Sequence, residues 1–299
     1  MIRIATVLFG IAVGAGADAA QPRSTYVPGA GGVPLATSGI GPPDAPGILF
    51  LHGLGHGRDS FSAQFASQLA EKYHVVAFDL RGHGMSGKPS QAADYRDAAI
   101  WAEDVARVMA ATRINRPVVV AWSYGSLVAA DVVRIKGAQQ ISGLVFVSAL
   151  GGLVEQAAQG DVPDDLVRAR TLQTNPSLAD QREASRLVAQ YLTAAAAPAS
   201  WLEATLTLNL MVPPYVQPLL RRHAANNRDL VDQFTMPVMI VHGAKDAALP
   251  QAAVDALVQR LPKAKASRYD NAGHAPFIED PARFNRELAD FAETTRSPP

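Results

Sequence analysis

Short apolar runs recur along the chain, each bounded by small or polar residues. They fall at 47–51 (Gly-Ile-Leu-Phe-Leu), 75–78, 117–121, 144–147 and 237–241. A strand with one wet face alternates apolar and polar positions. An unbroken run of this length suits a strand covered on both faces, as in a parallel sheet. Between the runs lie stretches of helical character at 60–72, 97–112 and 126–136. In the second, Ile100, Trp101, Val105, Val108 and Met109 fall near a helical period and define one apolar face. Strands alternating with helices of this size predict an α/β fold, with a mostly parallel, doubly wound sheet flanked by helices.

Some stretches depart from that alternation. Residues 26–38 read as a hairpin turning at Gly29-Ala30-Gly31-Gly32, and Gly41-Pro42-Pro43 then breaks the chain. Residues 151–232 are rich in Ala, Leu, Gln and Arg, carry several prolines and lack a buried-strand run. They predict a helical cap, or lid, inserted before the late strands, which leaves 21–150 and 233–299 as the core. A last helix is expected at 281–295, ahead of a polar tail.

The first twenty residues are of another kind. Met1-Ile2-Arg3 gives a positive start, 4–17 is uncharged and apolar, and Ala17-Asp18-Ala19-Ala20 supplies small residues. That layout predicts a signal peptide cleaved near Ala19 or Ala20, and export to a periplasm or beyond. The run is short for a membrane span, which needs about 20 residues. No stable membrane insertion is expected after cleavage, an uncleaved anchor being the alternative.

Composition narrows the function. With 48% hydrophobic and 18% charged residues in 299, the chain can bury a sizeable core. Lys plus Arg and Asp plus Glu both total 27, so nothing electrostatic points to nucleic acid or an anionic membrane. The chain has no cysteine, which excludes disulfides, thiol nucleophiles and thiolate metal sites.

The chemistry concentrates in loops after the apolar runs. Ala121-Trp122-Ser123-Tyr124-Gly125 joins a strand to a helix, a sharp turn that lifts a serine above the sheet edge. This is the nucleophile elbow usually written G-x-S-x-G, with Ala121 replacing the first glycine. The plainer alternative is a buried serine capping the following helix. A serine needs a base to take its proton. His274, in Asn271-Ala272-Gly273-His274-Ala275-Pro276, lies in a loop between a late strand and the last helix. His56 and His83, in glycine-rich loops, are second choices, His74 begins a strand, and His223 in its arginine-rich stretch reads as solvated. The imidazole needs a carboxylate. Asp246 follows the run 237–241, whereas Ser148-Ala149-Leu150-Gly151, after the preceding run, offers none before Glu155. Leu51-His52-Gly53-Leu54-Gly55-His56-Gly57 is too glycine-rich for ordinary packing. It predicts an oxyanion hole formed by the N–H groups of Leu54 and Tyr124. A phosphate loop is the rival, but this loop matches neither G-x-x-x-x-G-K-[ST] nor G-x-G-x-x-G.

With Phe78-Asp79-Leu80-Arg81-Gly82-His83-Gly84-Met85-Ser86-Gly87 and His242-Gly243-Ala244-Lys245-Asp246 added, these motifs stand in one order over residues 25–295. In that order the chain resembles the α/β-hydrolase superfamily, in particular its lid-bearing esterases, lactonases and cofactor-free haloperoxidase-like enzymes. The resemblance implies acyl transfer to water without cofactor or metal, and structural roles for Asp79 and Arg81. A serine at the elbow separates the chain from the branches with an aspartate there.

The expected substrate is a small-molecule ester or lactone with a small or medium apolar acyl group, lined by His52, Gly53, Trp122, Trp201 and Met211. Trp201, Leu202, Leu206, Leu208, Leu210, Met211, Val212 and Tyr215 either roof the pocket or pack the insertion onto the sheet. Perhydrolase or haloperoxidase chemistry and carbon–carbon bond hydrolysis use the same residues. A ligand-binding protein that does not turn over is the reading of another class.

Overall fold

The apolar runs become strands because each sends successive side chains to opposite, equally dry faces. A computed structural model describes residues 21–155, 162–194, 197–221, 223 and 225–296. Its strands are β1 (Arg23–Pro28), β2 (Pro34–Ile40), β3 (Gly47–Leu51), β4 (His74–Phe78), β5 (Val118–Trp122), β6 (Gly143–Val147), β7 (Val238–Gly243) and β8 (Lys265–Tyr269). Leu49, Leu51, Val119, Ala121, Leu144, Phe146 and Ile240 join one apolar cluster. Their strand neighbours Ile48, Phe50, Val118, Val120, Val145, Val147 and Met239 join the other. That strict alternation between two cores is what an unbroken apolar run encodes.

The strands form one sheet in the order β1-β2-β4-β3-β5-β6-β7-β8. The expected hairpin supplies β1 and β2, paired antiparallel, and β2 runs antiparallel to β4. From β4 to β8 every pairing is parallel.

The helices are α1 (Ser62–Phe65), α2 (Leu69–Lys72), α3 (Ala93–Arg96), α4 (Ala98–Thr112), α5 (Gly125–Lys136), α6 (Asp164–Leu172), α7 (Leu178–Ala189), α8 (Ala199–Leu210), α9 (Gln217–Leu220), α10 (Gln251–Arg260), α11 (Pro276–Glu279) and α12 (Pro281–Thr294). The Asp97 carboxylate caps α4 by accepting the Ala99 N–H, and Arg113 closes it in the left-handed region. The single helix expected at 60–72 is instead a 3₁₀ turn (Arg58–Phe61) followed by α1 and α2. Ser67 explains the break: its hydroxyl donates to the Gln64 carbonyl at 2.7 Å and accepts the Leu69 N–H at 3.2 Å. Those local bonds compete with the helical ladder.

Helices α6 to α9 lie between β6 and β7, where the insertion is expected. Ala169 of α6 packs with Ala184 and Leu187 of α7 in a small core of their own. The expected signal peptide, 1–20, lies outside the described residues. Among those described, no helix is long and apolar enough to cross a membrane.

A buried ion pair ties the hairpin to the sheet. Arg81, 1% exposed, donates through Nε and Nη2 to the two carboxylate oxygens of Asp104 on α4, at 2.6 and 2.7 Å. The same carboxylate accepts the Ala30 N–H, and Arg81 also donates to the Ala30 and Asp94 carbonyls. Asp79 accepts the N–H groups of Arg58 and Met85 and is paired with the Arg58 guanidinium. Both residues thus hold loops, as the resemblance implies. Removing one member of a buried pair strands the other, at a cost of about 3–5 kcal/mol. Asp104→Ala is expected to lose about that much stability in urea denaturation, and a loss below about 1 kcal/mol would mean the pair holds nothing in place.

Candidate active site

In the parallel half of the sheet, Ser123, Asp246 and His274 all stand beyond carboxyl ends of strands, where open α/β sheets hold their ligands. Ser123 follows β5 and precedes α5. Its φ of +50° is unusual for a residue with a Cβ and costs on the order of 1–3 kcal/mol. The turn is held from both sides, since the Ser123 N–H donates to the Val147 carbonyl and its carbonyl accepts from Ser126. Gly125 makes the geometry possible. A Cβ there would stand 2.4 Å from the Leu51 carbonyl oxygen, so only glycine lets α5 begin against the end of β3.

Asp246 follows β7 and His274 follows β8. Oδ1 of Asp246 accepts the N–H groups of Ala248 and Leu249, and Oδ2 lies 2.7 Å from His274 Nδ1. Burial alone would disfavour the charged imidazole. The Asp246 carboxylate outweighs it, with help from Glu279, and raises the His274 pKa above its usual 6.5. Burial would likewise raise Asp246, but the imidazole and the donated N–H groups hold its pKa below the usual value. The histidine loop has further anchors. Trp122 Nε1 donates to the His274 carbonyl at 2.8 Å, and the Glu279 carboxylate accepts the N–H groups of Gly273 and Ala194.

Ser123 and His274 line one cavity of about 630 Å³, together with Gly53, Leu54, Trp122 and Tyr124. Among the described residues the N–H groups of Leu54 and Tyr124 have no acceptor. The other residues expected in the pocket lie elsewhere. His52 is fully buried beneath the loop, where its ring bonds the Gly53 carbonyl and accepts the Leu80 N–H. Trp201 donates to the Ser60 carbonyl at 3.0 Å and stacks on His56. It belongs to the face of α8, with Thr205, Leu208 and Asn209, that is turned inward. Met211, at the end of α8, is half-buried outside the cavity wall. The wall over the site comes instead from Leu166, Ala169, Arg170 and Gln173, one face of α6 and its end, and from Val188, Tyr191, Leu220 and Arg221.

His223 corrects another expectation. It is 5% exposed, with Nε2 at 2.5 Å from Asp131 Oδ2, Nδ1 at 3.0 Å from the Tyr124 hydroxyl, and its ring stacked on Trp101. The sequence signal for it was Asp131 itself, a carboxylate within the apolar stretch Val128-Ala129-Ala130-Asp131-Val132-Val133, which requires a buried partner. Two histidine–carboxylate pairs therefore border the cavity. Both ring nitrogens of His223 are engaged, whereas His274 commits Nδ1 to Asp246 and, among the described residues, keeps Nε2 without a partner. His56 also lines the cavity but has no carboxylate partner among the described residues, and burial pulls its pKa well below 6.5. His83 is buried and bonded to the Arg81 carbonyl. Among the described residues no group of three His, Asp or Glu side chains could hold a metal ion.

Compared with known proteins, the chain belongs to the alpha/beta hydrolase fold family, whose profile matches residues 46–281. It is 30% identical to the pimeloyl-[acyl-carrier protein] methyl ester esterase of Chromobacterium violaceum, over 83% of this chain and 95% of that protein. A solved structure from Burkholderia cenocepacia, assigned as an aryl esterase, is 28% identical with a TM-score of 0.83 over 91% of this chain and 99% of that one. The esterase RhEst1 of Rhodococcus sp. ECU1013 is 26% identical with a TM-score of 0.81, over 91% and 99%. These three relatives carry esterase names, and ester hydrolysis is the activity they support for this chain.

The loops carrying Asp246 and His274 meet at Gly243. A Cβ there would fall 2.0 Å from the Gly273 carbonyl oxygen and 2.4 Å from that of Ala272. Gly243→Ala is expected to push the loops apart and abolish the low-field proton resonance of the His274–Asp246 hydrogen bond. Persistence of that resonance would show that the loops tolerate the methyl group.

Proposed function

We propose that the protein is a serine hydrolase that cleaves carboxylic esters through an acyl-enzyme. The observation carrying this reading is a strained serine and a carboxylate-paired histidine with a free ring nitrogen, lining one cavity. In the cycle, His274 Nε2 takes the Ser123 proton as Oγ attacks the acyl carbon. The carbonyl oxygen becomes an oxyanion held by the Leu54 and Tyr124 N–H groups. Collapse expels the alcohol, which leaves with the proton from His274. Water then repeats the sequence and frees the acid. Asp246 fixes the tautomer that exposes Nε2 and stabilises the transient imidazolium. The esterases among the relatives support the reaction class, and lactones are cyclic substrates of the same chemistry.

Hydrolysis of p-nitrophenyl esters from acetate to octanoate is expected for the wild type, with a loss of about 10⁴-fold or more in Ser123→Ala. Near-normal turnover in that variant would remove Ser123 from the mechanism. The pH profile follows from His274. The base must be neutral, and Asp246 and Glu279 raise its pKa above 6.5. Activity should therefore fall as pH is lowered through a midpoint above 6.5. In Asp246→Asn that midpoint should move to lower pH and the rate should drop. A profile flat from pH 5 to 9, with chemistry limiting, would exclude His274 as the base.

A further inference from the structure

A guanidinium withdrawn from water ordinarily faces an anion. Arg81 has Asp104, Arg58 has Asp79 and Arg134 has Asp229. Arg221 breaks this pattern. It is half-buried, its Nη2 donates to the neutral Gln173 Oε1 at 2.6 Å, and its Nε is buried without an acceptor. Among the described residues no carboxylate contacts it. The charge that acts on it is another cation, Arg170, and burial together with that charge presses its pKa down to about 10. Arg170 is exposed, and its side chain makes no hydrogen bond or ion pair among the described residues.

Both arginines line the cavity that holds Ser123 and His274, and among the described residues neither Asp nor Glu lines it. Asp246 and Asp131 stand behind their histidines, already engaged. The wall also carries Leu127, Leu150, Leu166 and Leu220. The Leu220 carbonyl accepts the Tyr124 hydroxyl at 3.3 Å, so Arg221 directly follows the residue tied to Ser123's neighbour. Among the described residues, one chamber thus combines a nucleophile, an apolar wall and a positive patch without internal neutralisation.

We propose that Arg221 and Arg170 form an anion subsite, and that the substrate is an ester whose acyl chain ends in a carboxylate or phosphate group. The proposal rests on ester hydrolysis at Ser123. The guanidinium fork matches either anion in a two-point contact, and Gln173 holds the Arg221 fork in place. An anion seated there would replace the missing counter-charge and leave the ester end of the chain toward Ser123.

The test compares p-nitrophenyl hexanoate with mono-p-nitrophenyl adipate and p-nitrophenyl 6-phosphonohexanoate. Wild type is expected to favour an anionic ester by about tenfold or more in kcat/KM, the scale of a hydrogen bond to a charged group. The better of the two anions identifies the source. The preference should collapse toward unity in Arg221→Gln, weaken in Arg170→Gln, partly survive in Arg221→Lys, and shrink with added salt. Equal rates on neutral and anionic esters in the wild type, or a preference that survives both glutamine variants, would overturn the subsite. If wild type hydrolyses no ester, the reading of Ser123 fails first, and calorimetric titration with adipate decides the subsite on its own. Binding lost in a folded Arg221→Gln protein would sustain it, and no binding to wild type would end it.

Discussion

Parallel strands cannot be joined by tight turns, and most of this molecule follows from that constraint. Each passage from one strand to the next must cross the sheet and return, so successive strands end at the same edge. The pairing carries this through: Leu51 lies beside Ala121, Trp122 beside Val147, Val147 beside Val241 and Gly243 beside Tyr269. Residues more than 120 positions apart in sequence, such as Ser123 and Asp246, therefore leave the sheet on one side. The backbone brings the candidate catalytic side chains together before any of them makes a contact of its own.

That edge is also where local comfort is given up. Ser123 and Ser148 both occupy positive φ directly after their strands, and both continue the ladder with an N–H to the neighbouring strand, at Val147 and Val241. Gly125 against Leu51 and Gly243 against Gly273 leave no room for a methyl group. Strain of this kind persists only where surrounding structure over-determines it. Here that support comes from two dry cores, one on each face of the sheet.

What the sequence revealed and what it hid divide along physical lines. Strands dry on both faces leave unbroken apolar runs, so the sheet was legible. Asp246 and His274 were legible because each sits in a loop directly after a strand. The walls of the cavity were not. Helix α8 scatters its apolar and polar residues round its circumference, so its sequence does not tell which face turns inward. The face that does so carries Thr205 and Asn209 beside Trp201 and Leu208, and it takes Trp201 away from the expected pocket. His223 lies in a polar, arginine-bearing stretch, and its burial comes from Asp131, a residue distant in sequence. Arg170 and Arg221 read as ordinary surface arginines, and only the folding of the helices over the sheet sets both on the cavity wall. Ser67, in turn, ends a helix through its own hydroxyl, a competition that apolar periodicity does not register.

The protein contains 3 tryptophans, and each is stationed against a histidine. Trp101 stacks on His223 at 4.9 Å, Trp201 stacks on His56 at 6.2 Å, and Trp122 lies 4.4 Å from His56 while holding the His274 carbonyl. Because indole emission responds to neighbouring charge and polarity, the intrinsic fluorescence of this molecule is concentrated around the candidate site. Occupancy of the chamber and protonation of its imidazoles thereby acquire an optical signature without any added label.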